Sequence, residues 1–255
     1  MRNPLGRQSR ITIDACHFSN ADTLHTKLAK AEYTSMTTLE QVWAQREELV
    51  YPELFGPTDG QIYPLSTELF VGVFHQDSID PRWLHIGVFQ IPPTPTRSTW
   101  IYVSSGLSNP WEDDPEQIET RDYSGLGVEL VLETPTAAIW PIVIVQRMLA
   151  FDILLAHGRF GAAQPLDYGD RIPLRGSVAL EQPSALEYLI IAQPNHYPAS
   201  FHLASGRVDL LHFIGMSNSE LAYAKATSSA DLIARFRAEG VYPLTDPERA
   251  SIISE

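Results

Sequence analysis

The sequence predicts an α+β protein with a central mixed β-sheet and flanking helices, in one lobe or in two lobes with a cleft between them. Three features carry that prediction. Short runs such as Leu84-His85-Ile86-Gly87-Val88-Phe89 and Tyr188-Leu189-Ile190-Ile191 are largely apolar on both faces, the pattern of strands covered on both sides. One long segment, Trp140 to Ala156, is apolar almost all round and predicts a buried central helix. No internal repeat, low-complexity tract or linker divides the chain, so strands and helices are expected to share one core.

Residues 1–35 have weak periodicity and read as an N-terminal arm, with residues 36–255 as the folded domain. Thr37-x-x-Glu40 offers a capping box. Leu39, Val42, Trp43, Leu49 and Val50 then recur at helical spacing until Pro52 and Gly56-Pro57 stop the helix. Leu69 to Phe74 and Leu84 to Phe89 read as central strands, and Pro92, Pro93 and Pro95 as a rigid link to a strand starting near Trp100. Ile101-Tyr102-Val103 gives way to the small polar run Ser104-Ser105-Gly106-Leu107-Ser108, and a long acidic loop follows. Ser124-Gly125-Leu126-Gly127 opens a strand in which Val128, Leu130 and Leu132 recur at period two. Pro141 suits the first turn of the central helix, where its missing N–H would lack an intrahelical partner anyway. Residues 158–185 are rich in Gly, Pro and charge and read as loop with room for one short strand. Phe201-His202-Leu203 and Val208 to Ile214 form a hairpin about Ser205-Gly206. Ser217-x-x-Glu220 caps the next helix, and Ser228 or Ser229 starts another that ends at Gly240.

Eighteen basic against 31 acidic residues give a net charge of −13. That field repels nucleic-acid phosphates, so no nucleic-acid partner is expected, and it favours a basic polypeptide. The single cysteine, Cys16, excludes an internal disulfide and a thiolate metal cluster. The first 35 residues lack the continuous apolar core of a secretory signal. The longest apolar run, Ala137 to Val145, is nine residues and contains Pro141, against about 20 for a membrane span. The expectation is a soluble cytoplasmic protein with no membrane partner, in an oligomeric state the sequence leaves open.

Glu112, Asp113, Asp114 and Glu116 beside Trp111 read as a solvated acidic loop, a contact surface for a basic partner, or a hard-cation site. The spacing of an EF-hand loop is absent. Trp111 is either a contact anchor or a core residue that pins the loop. Gly125-x-Gly127 lacks the third glycine of a nucleotide fingerprint, since Leu130 stands there, and it opens a strand; a backbone role is expected and no cofactor. Glu129 falls opposite Val128 and Leu130, and is either exposed or lines a cleft beside Ser104 and Ser108. The eight histidines show no metal-ligand spacing. His202 and His212 read as hydrogen-bonded strand residues, and His85 as a core or half-buried histidine on the face of Trp83 and Phe89. No G-x-S-x-G elbow surrounds Ser105 or Ser124, and no carboxylate pair is placed across a substrate, so no catalytic residue is nominated.

The run Tyr102-Val103-Ser104-Ser105-Gly106-Leu107-Ser108-Asn109-Pro110, the acidic loop, and Ser124-Gly125-Leu126-Gly127-x-Glu129-Leu130 together resemble the Suppressor of fused family, in a bacterial-type single-domain form. Ile214-Gly215-Met216-Ser217-x-x-Glu220-Leu221 is similar to the end of that domain. The resemblance implies a non-catalytic protein-binding domain; bacterial members are proposed to be immunity proteins that neutralise a partner toxin. The animal domain adds a peptide strand to its sheet, which implies an exposed strand edge here, with the 108–123 loop supplying selectivity. Animal members also close a second domain over a transcription-factor peptide, and that clamp is not expected in this chain. The candidate binding residues are Tyr102, Ser104, Ser108, Trp111, Asp113, Asp114, Ser124 and Glu129. The alternative is a small-molecule-binding protein or enzyme whose cleft is lined by Ser104, Ser108, Ser124 and Glu129 and walled by Tyr102 and Trp111. A self-associating structural domain would need only an exposed apolar patch.

Overall fold

The computed structural model describes residues 37–58, 60–179 and 182–253. The expected N-terminal arm, with Cys16, His17 and His25, lies outside them. The first helical stretch runs as α1 (Leu39–Ala44), a π-helical segment (Gln45–Val50) and α2 (Tyr51–Phe55). The strands are β1 (Ile62–Pro64), β2 (Gly87–Ile91), β3 (Trp100–Ser105), β4 (Tyr123–Thr134), β5 (Arg171–Pro173), β6 (Leu186–Ala192), β7 (Ser200–Leu203) and β8 (Gly206–Ser217). Three further helices are α3 (Trp140–Ala156), α4 (Asn218–Ala226) and α5 (Ser229–Ala238). The strands form one open mixed sheet in the order β1-β2-β3-β4-β8-β6-β5, with β7 paired to β8. Only β4 and β8 run parallel; every other pair is antiparallel. This is the predicted α+β class.

Both faces of the sheet are covered, which is why its strands lack polar alternation. On one face α3 packs Ile142, Val145, Leu149 and Ile153 against Tyr102, Leu130, Leu132, Leu211 and Phe213. On the other, α1 and α2 bring Val42, Tyr51 and Phe55 onto Ile101, Val103, Val131 and Leu210. Further along that sheet, α4 and α5 cover Ile190, Ile214 and Met216 with Leu221, Leu232 and Phe236. Among the described residues no helix is long and apolar enough to cross a membrane.

Several local readings shift. The first capping box uses Thr38 and Gln41, one residue later than expected: Thr38 Oγ1 accepts from Gln41 N (3.3 Å) and Gln41 Oε1 from Thr38 N (2.9 Å). Pro52 does not stop the helix. It stands in the first turn of α2, where a missing N–H is tolerated, and the chain leaves at Gly56. Leu69 to Phe74 is not a strand but a π-helical turn (Leu69–Val73). Phe70 is buried against Trp83, 5.3 Å between ring centroids, while Val71 and Val73 face outward. A short apolar run has no period of its own, so it does not discriminate strand from turn. Pro81–His85 is a 3-10 helix whose first turn is capped by the Asp80 side chain, which accepts from Arg82 N at 2.9 Å. That helix leaves His85 exposed, off the face of Trp83 and Phe89. The hairpin register pairs Leu203 with Gly206, so the turn is Ala204-Ser205, one residue earlier than read.

Two buried titratable groups tune stability in opposite directions. Burial pushes the Asp152 carboxyl in α3 up from 3.8 to about 6; a backbone hydrogen bond from Leu166 opposes the shift and the charge of Glu129 adds to it. A raised carboxyl contributes stability fully present below its unfolded value and lost as the pH rises through about 6. Burial pulls His212 down to about 4, although its Nε2 bonds to Pro243 O at 2.8 Å and its Nδ1 to Tyr197 Oη at 2.7 Å. That depressed base contributes stability present above its ordinary 6.5 and lost as the pH falls through about 4. Asp152→Asn should therefore raise unfolding stability near neutral pH by about 2 to 3 kcal/mol and change it little below about pH 4, measured by urea unfolding at both conditions. The acid-side loss from His212 should persist in that variant.

Candidate functional site

The site grows from one residue of β4. Glu129 is 0% exposed, which overturns its reading as an exposed or cleft-lining carboxylate. The second face of β4 is covered by the first helical stretch, so its alternate positions do not reach water. A buried carboxylate needs its lone pairs filled, and the run at the end of β3 fills them. Glu129 Oε1 accepts from Gly106 N (2.9 Å), Ser108 N (3.0 Å) and Ser108 Oγ (2.6 Å), and Oε2 accepts from Ser104 Oγ. Ser104 Oγ in turn accepts from Leu130 N at 2.7 Å.

The counter-charge comes from the helical stretch. Arg46 Nη1 lies 3.9 Å from Glu129 Oε1 and donates to Ser108 Oγ (3.0 Å) and Asn109 Oδ1 (2.6 Å). Its Nη2 donates to Glu47 Oε1 (2.8 Å), which also accepts from Ser105 Oγ (2.6 Å). Burial works against the Arg46 cation, but Glu129, Tyr51 and Glu47 outweigh it and hold its pKa above the ordinary value. Burial, followed by the charge of Glu129, drives the Tyr51 hydroxyl well above its usual range, so it stays a donor, to Ser104 O at 2.5 Å.

The same polar centre fixes the acidic loop. Ser124 Oγ donates to Ser108 O (2.6 Å) and shares a hydrogen bond with Ser205 Oγ. Gly125 has φ +55°, and a Cβ there would sit 2.5 Å from Asn109 O, so only glycine allows the two loop ends this approach. Asp113 pairs with Arg121 and accepts from Glu119 N at 3.1 Å, closing the loop on itself. Trp111 is half-buried, edge-to-face on Trp43 at 6.0 Å, and its carbonyl accepts from Arg82 Nη1 at 2.8 Å. It acts as the loop's core anchor. Glu112, Asp114 and Glu116 point outward as an acidic rim. Among the described residues no cluster of three or more His, Cys, Asp or Glu side chains is placed to hold a metal ion.

A cavity of about 120 Å³ opens beside this rim, walled by Trp83, Leu107, Trp111, Leu126 and Ile153, with Tyr123 and Leu126 part-exposed at its mouth. It has the size of one side chain, well below the roughly 300 Å³ at which small-ligand pockets begin. Ser104, Ser108, Ser124 and Glu129, read as the lining of the alternative cleft, are hydrogen-bonded to one another through Ser108, but all four are buried and none lines this cavity. Trp111 and Asp113 line it; Asp114 stands outside. Tyr102 is elsewhere, on the α3 face, donating to Ala138 O (3.1 Å) and accepting from Ala138 N (2.9 Å) and Gln90 Nε2 (3.1 Å). Arg46, Glu47 and Asn109 were not among the candidates. The signal was present for Arg46, a charged residue four after Val42 and four before Val50, inside the apolar helical stripe.

The second signature is built alike. Ser217 and Glu220 form the predicted capping box, with Ser217 N donating to Glu220 Oε2 at 2.8 Å. The buried Glu220 also takes a two-pronged bond from Arg249, Nη1 to Oε1 at 2.6 Å and Nη2 to Oε2 at 2.8 Å. Gly215 admits Thr245, whose Cγ2 would lie 2.7 Å from a Cβ there, and donates its N–H to Thr245 Oγ1 at 2.8 Å.

A mixed sheet between helices, with a serine-glycine loop closed over a buried glutamate, makes this an α+β protein. The profile of the Suppressor of fused protein (SUFU) family matches residues 82–250, and the chain belongs to that family. Among solved structures it resembles a chain of the Sufu-Fu complex at 20% identity and TM-score 0.57, covering 86% of this chain and 93% of that one. A putative SUFU homolog from Neisseria gonorrhoeae matches at 17% identity and TM-score 0.57, over 84% of this chain and 98% of that one. Drosophila Suppressor of Fused matches at 22% identity and TM-score 0.51 over 65% of this chain, which spans 42% of its length. At these identities the likeness establishes the fold. Among curated proteins no match is found.

Glu129→Ala should cost about 3 to 5 kcal/mol of unfolding free energy, because it strips the main counter-charge from buried Arg46 and orphans two backbone N–H groups. Urea unfolding reads this directly. A loss below about 1 kcal/mol would mean that the carboxylate is not structural.

Proposed function

We propose that this chain is a non-catalytic, cytoplasmic protein-binding domain that sequesters a partner polypeptide, as an immunity-type or regulatory protein. The observation that carries the reading is the saturation of the signature carboxylate. Glu129 accepts four hydrogen bonds from its own loop and has no exposed surface, so it is built to hold that loop in place rather than to transfer a proton or meet a substrate. The alternative cleft at Ser104, Ser108 and Glu129 has no comparable support, since all three side chains are buried.

What the loop presents outward suits a basic polypeptide. Glu112 and Asp113 line the Trp111 cavity with Arg82 and Arg121, Asp114 and Glu116 are exposed on the same loop, and the whole chain carries −13, so the long-range field favours a cationic surface. The open sheet edges contribute less. Strands β1 and β5 are each three residues long and end on a proline, Pro64 and Pro173, so an added strand would find few backbone partners there. Affinity is therefore assigned mainly to side-chain contacts at the acidic rim, with an apolar anchor of the partner in the cavity.

The test is capture from a lysate of the source organism on the immobilised chain at low and moderate salt, repeated with Glu112→Lys, Asp114→Lys and Glu116→Lys combined. The expected result is one stoichiometric basic polypeptide, released by salt and bound about tenfold or more weakly by the triple variant. Empty capture sinks the sequestering reading, and capture indifferent to salt and to the triple variant removes the acidic rim from it.

A further inference from the structure

A second, larger cavity of about 730 Å³ lies between the end of α2, the 92–99 loop, and the segments around Tyr197 and Pro243. Its volume falls within the range of small-molecule sites, about 300 to 1,000 Å³. Three charged side chains line it, the exposed Glu53 and the less exposed Arg97 and Glu133, together with the exposed His196; Arg97 and Glu133 have few partners among the described residues. Arg97 donates through Nη1 to Thr99 O (2.5 Å) and through Nη2 to Phe55 O (2.6 Å) and Pro92 O (2.9 Å). These bonds staple the loop to the last turn of α2, whose carbonyls lack intrahelical donors. They use three of the five N–H donors of a guanidinium; the Nε hydrogen and one Nη1 hydrogen, on opposite sides of the group, have no acceptor among the described residues. Among the described residues no carboxylate lies within ion-pair distance of this half-buried cation.

The second group is Glu133 on β4, 4% exposed. Its carboxyl accepts from Thr99 Oγ1 alone among the described residues, where Glu129 four positions earlier accepts from four donors. Burial lowers the pKa of Arg97 and raises that of Glu133, and each partly offsets the shift of the other through space without touching it. A structural role explains the Arg97 staple. It does not explain a carboxyl with one donor among the described residues, near a guanidinium with two unused N–H groups, both lining an open cavity. A simple anion would meet Glu133, and a simple cation would meet Arg97. A group carrying both signs satisfies the pair.

We propose that this cavity binds a small zwitterion of the amino-acid class, a free amino acid or dipeptide, with its carboxylate beside the Arg97 guanidinium and its ammonium on Glu133. The hydroxyls of Thr94, Thr96 and Ser98 at the mouth supply further polar contacts. This site is separate from the Trp111 cavity and does not depend on the protein-binding reading.

The test is thermal unfolding and titration calorimetry of the full chain against free amino acids and dipeptides, with acetate and ethylammonium as single-charge controls. At least one zwitterion should raise the midpoint by several degrees, roughly what saturation at 100 times Kd supplies, and neither control should do so. Arg97→Lys and Glu133→Gln should each weaken that binding about tenfold or more. Because Arg97 also holds the loop, Ser98→Trp on the exposed mouth provides a variant that keeps both charges. It should abolish binding while leaving the unliganded midpoint unchanged. A shift with acetate alone, a shift with ethylammonium alone, or no shift with any zwitterion would overturn the proposal, as would binding unaffected by Ser98→Trp.

Discussion

The burial of the Glu129 carboxylate is the constraint on which the rest of this structure depends. A charge at 0% exposure is costly unless every lone pair is filled and a counter-ion is near. Filling those lone pairs dictates the course of the chain after β3. Ser104, Gly106 and Ser108 must turn their donors inward onto one point, which forces the strand to end and the loop to fold back over β4. The positive partner, Arg46, arrives on a helical stretch more than 80 residues earlier in the chain, so the same charge docks that stretch onto the sheet. With the helix comes Trp43, and against Trp43 packs Trp111, which sets where the acidic rim stands.

The two motifs that carry the resemblance use one device twice. Strands β4 and β8 form the parallel pair at the middle of the sheet, with Glu129 opposite Leu210. Glu129 ties the β3–β4 connection and the helical stretch to that centre, and Glu220, one helical turn past β8, ties the C-terminal segment through Arg249 and Ile252 N. In each case the polar residues of the motif are consumed by internal bonds and glycine supplies the close approach. The signature is therefore the condition for a loop conformation, and functional variation has room only on the outer side of that loop.

Glu133 marks the contrast. It lies on the same strand and is nearly as buried, yet among the described residues its carboxyl has one donor where Glu129 has four. Native interiors seldom leave a carboxyl so thinly partnered, and such groups concentrate where something else completes them. The sheet thus carries one carboxylate committed to architecture and another left open toward a cavity, a distinction that residue type and strand position alone do not make.

Much of this was legible in local pattern. The fold class, the central helix from Trp140 to Ala156, the β6 and β8 strands and the Ser217–Glu220 capping box follow from periodicity and capping chemistry. Those signals depend on neighbours within a turn or a strand, which the sequence states outright. The sequence did not decide that Glu129 is buried, that Arg46 is its counter-ion, that Leu69 to Phe74 coils instead of extending, or that His85 faces water. Each of these depends on what covers the second face of an element, and that cover comes from segments distant in the chain. Period and propensity describe one element's own surface; only the tertiary packing decides which of its two faces meets solvent, and so which polar residue becomes a fastener and which an open site.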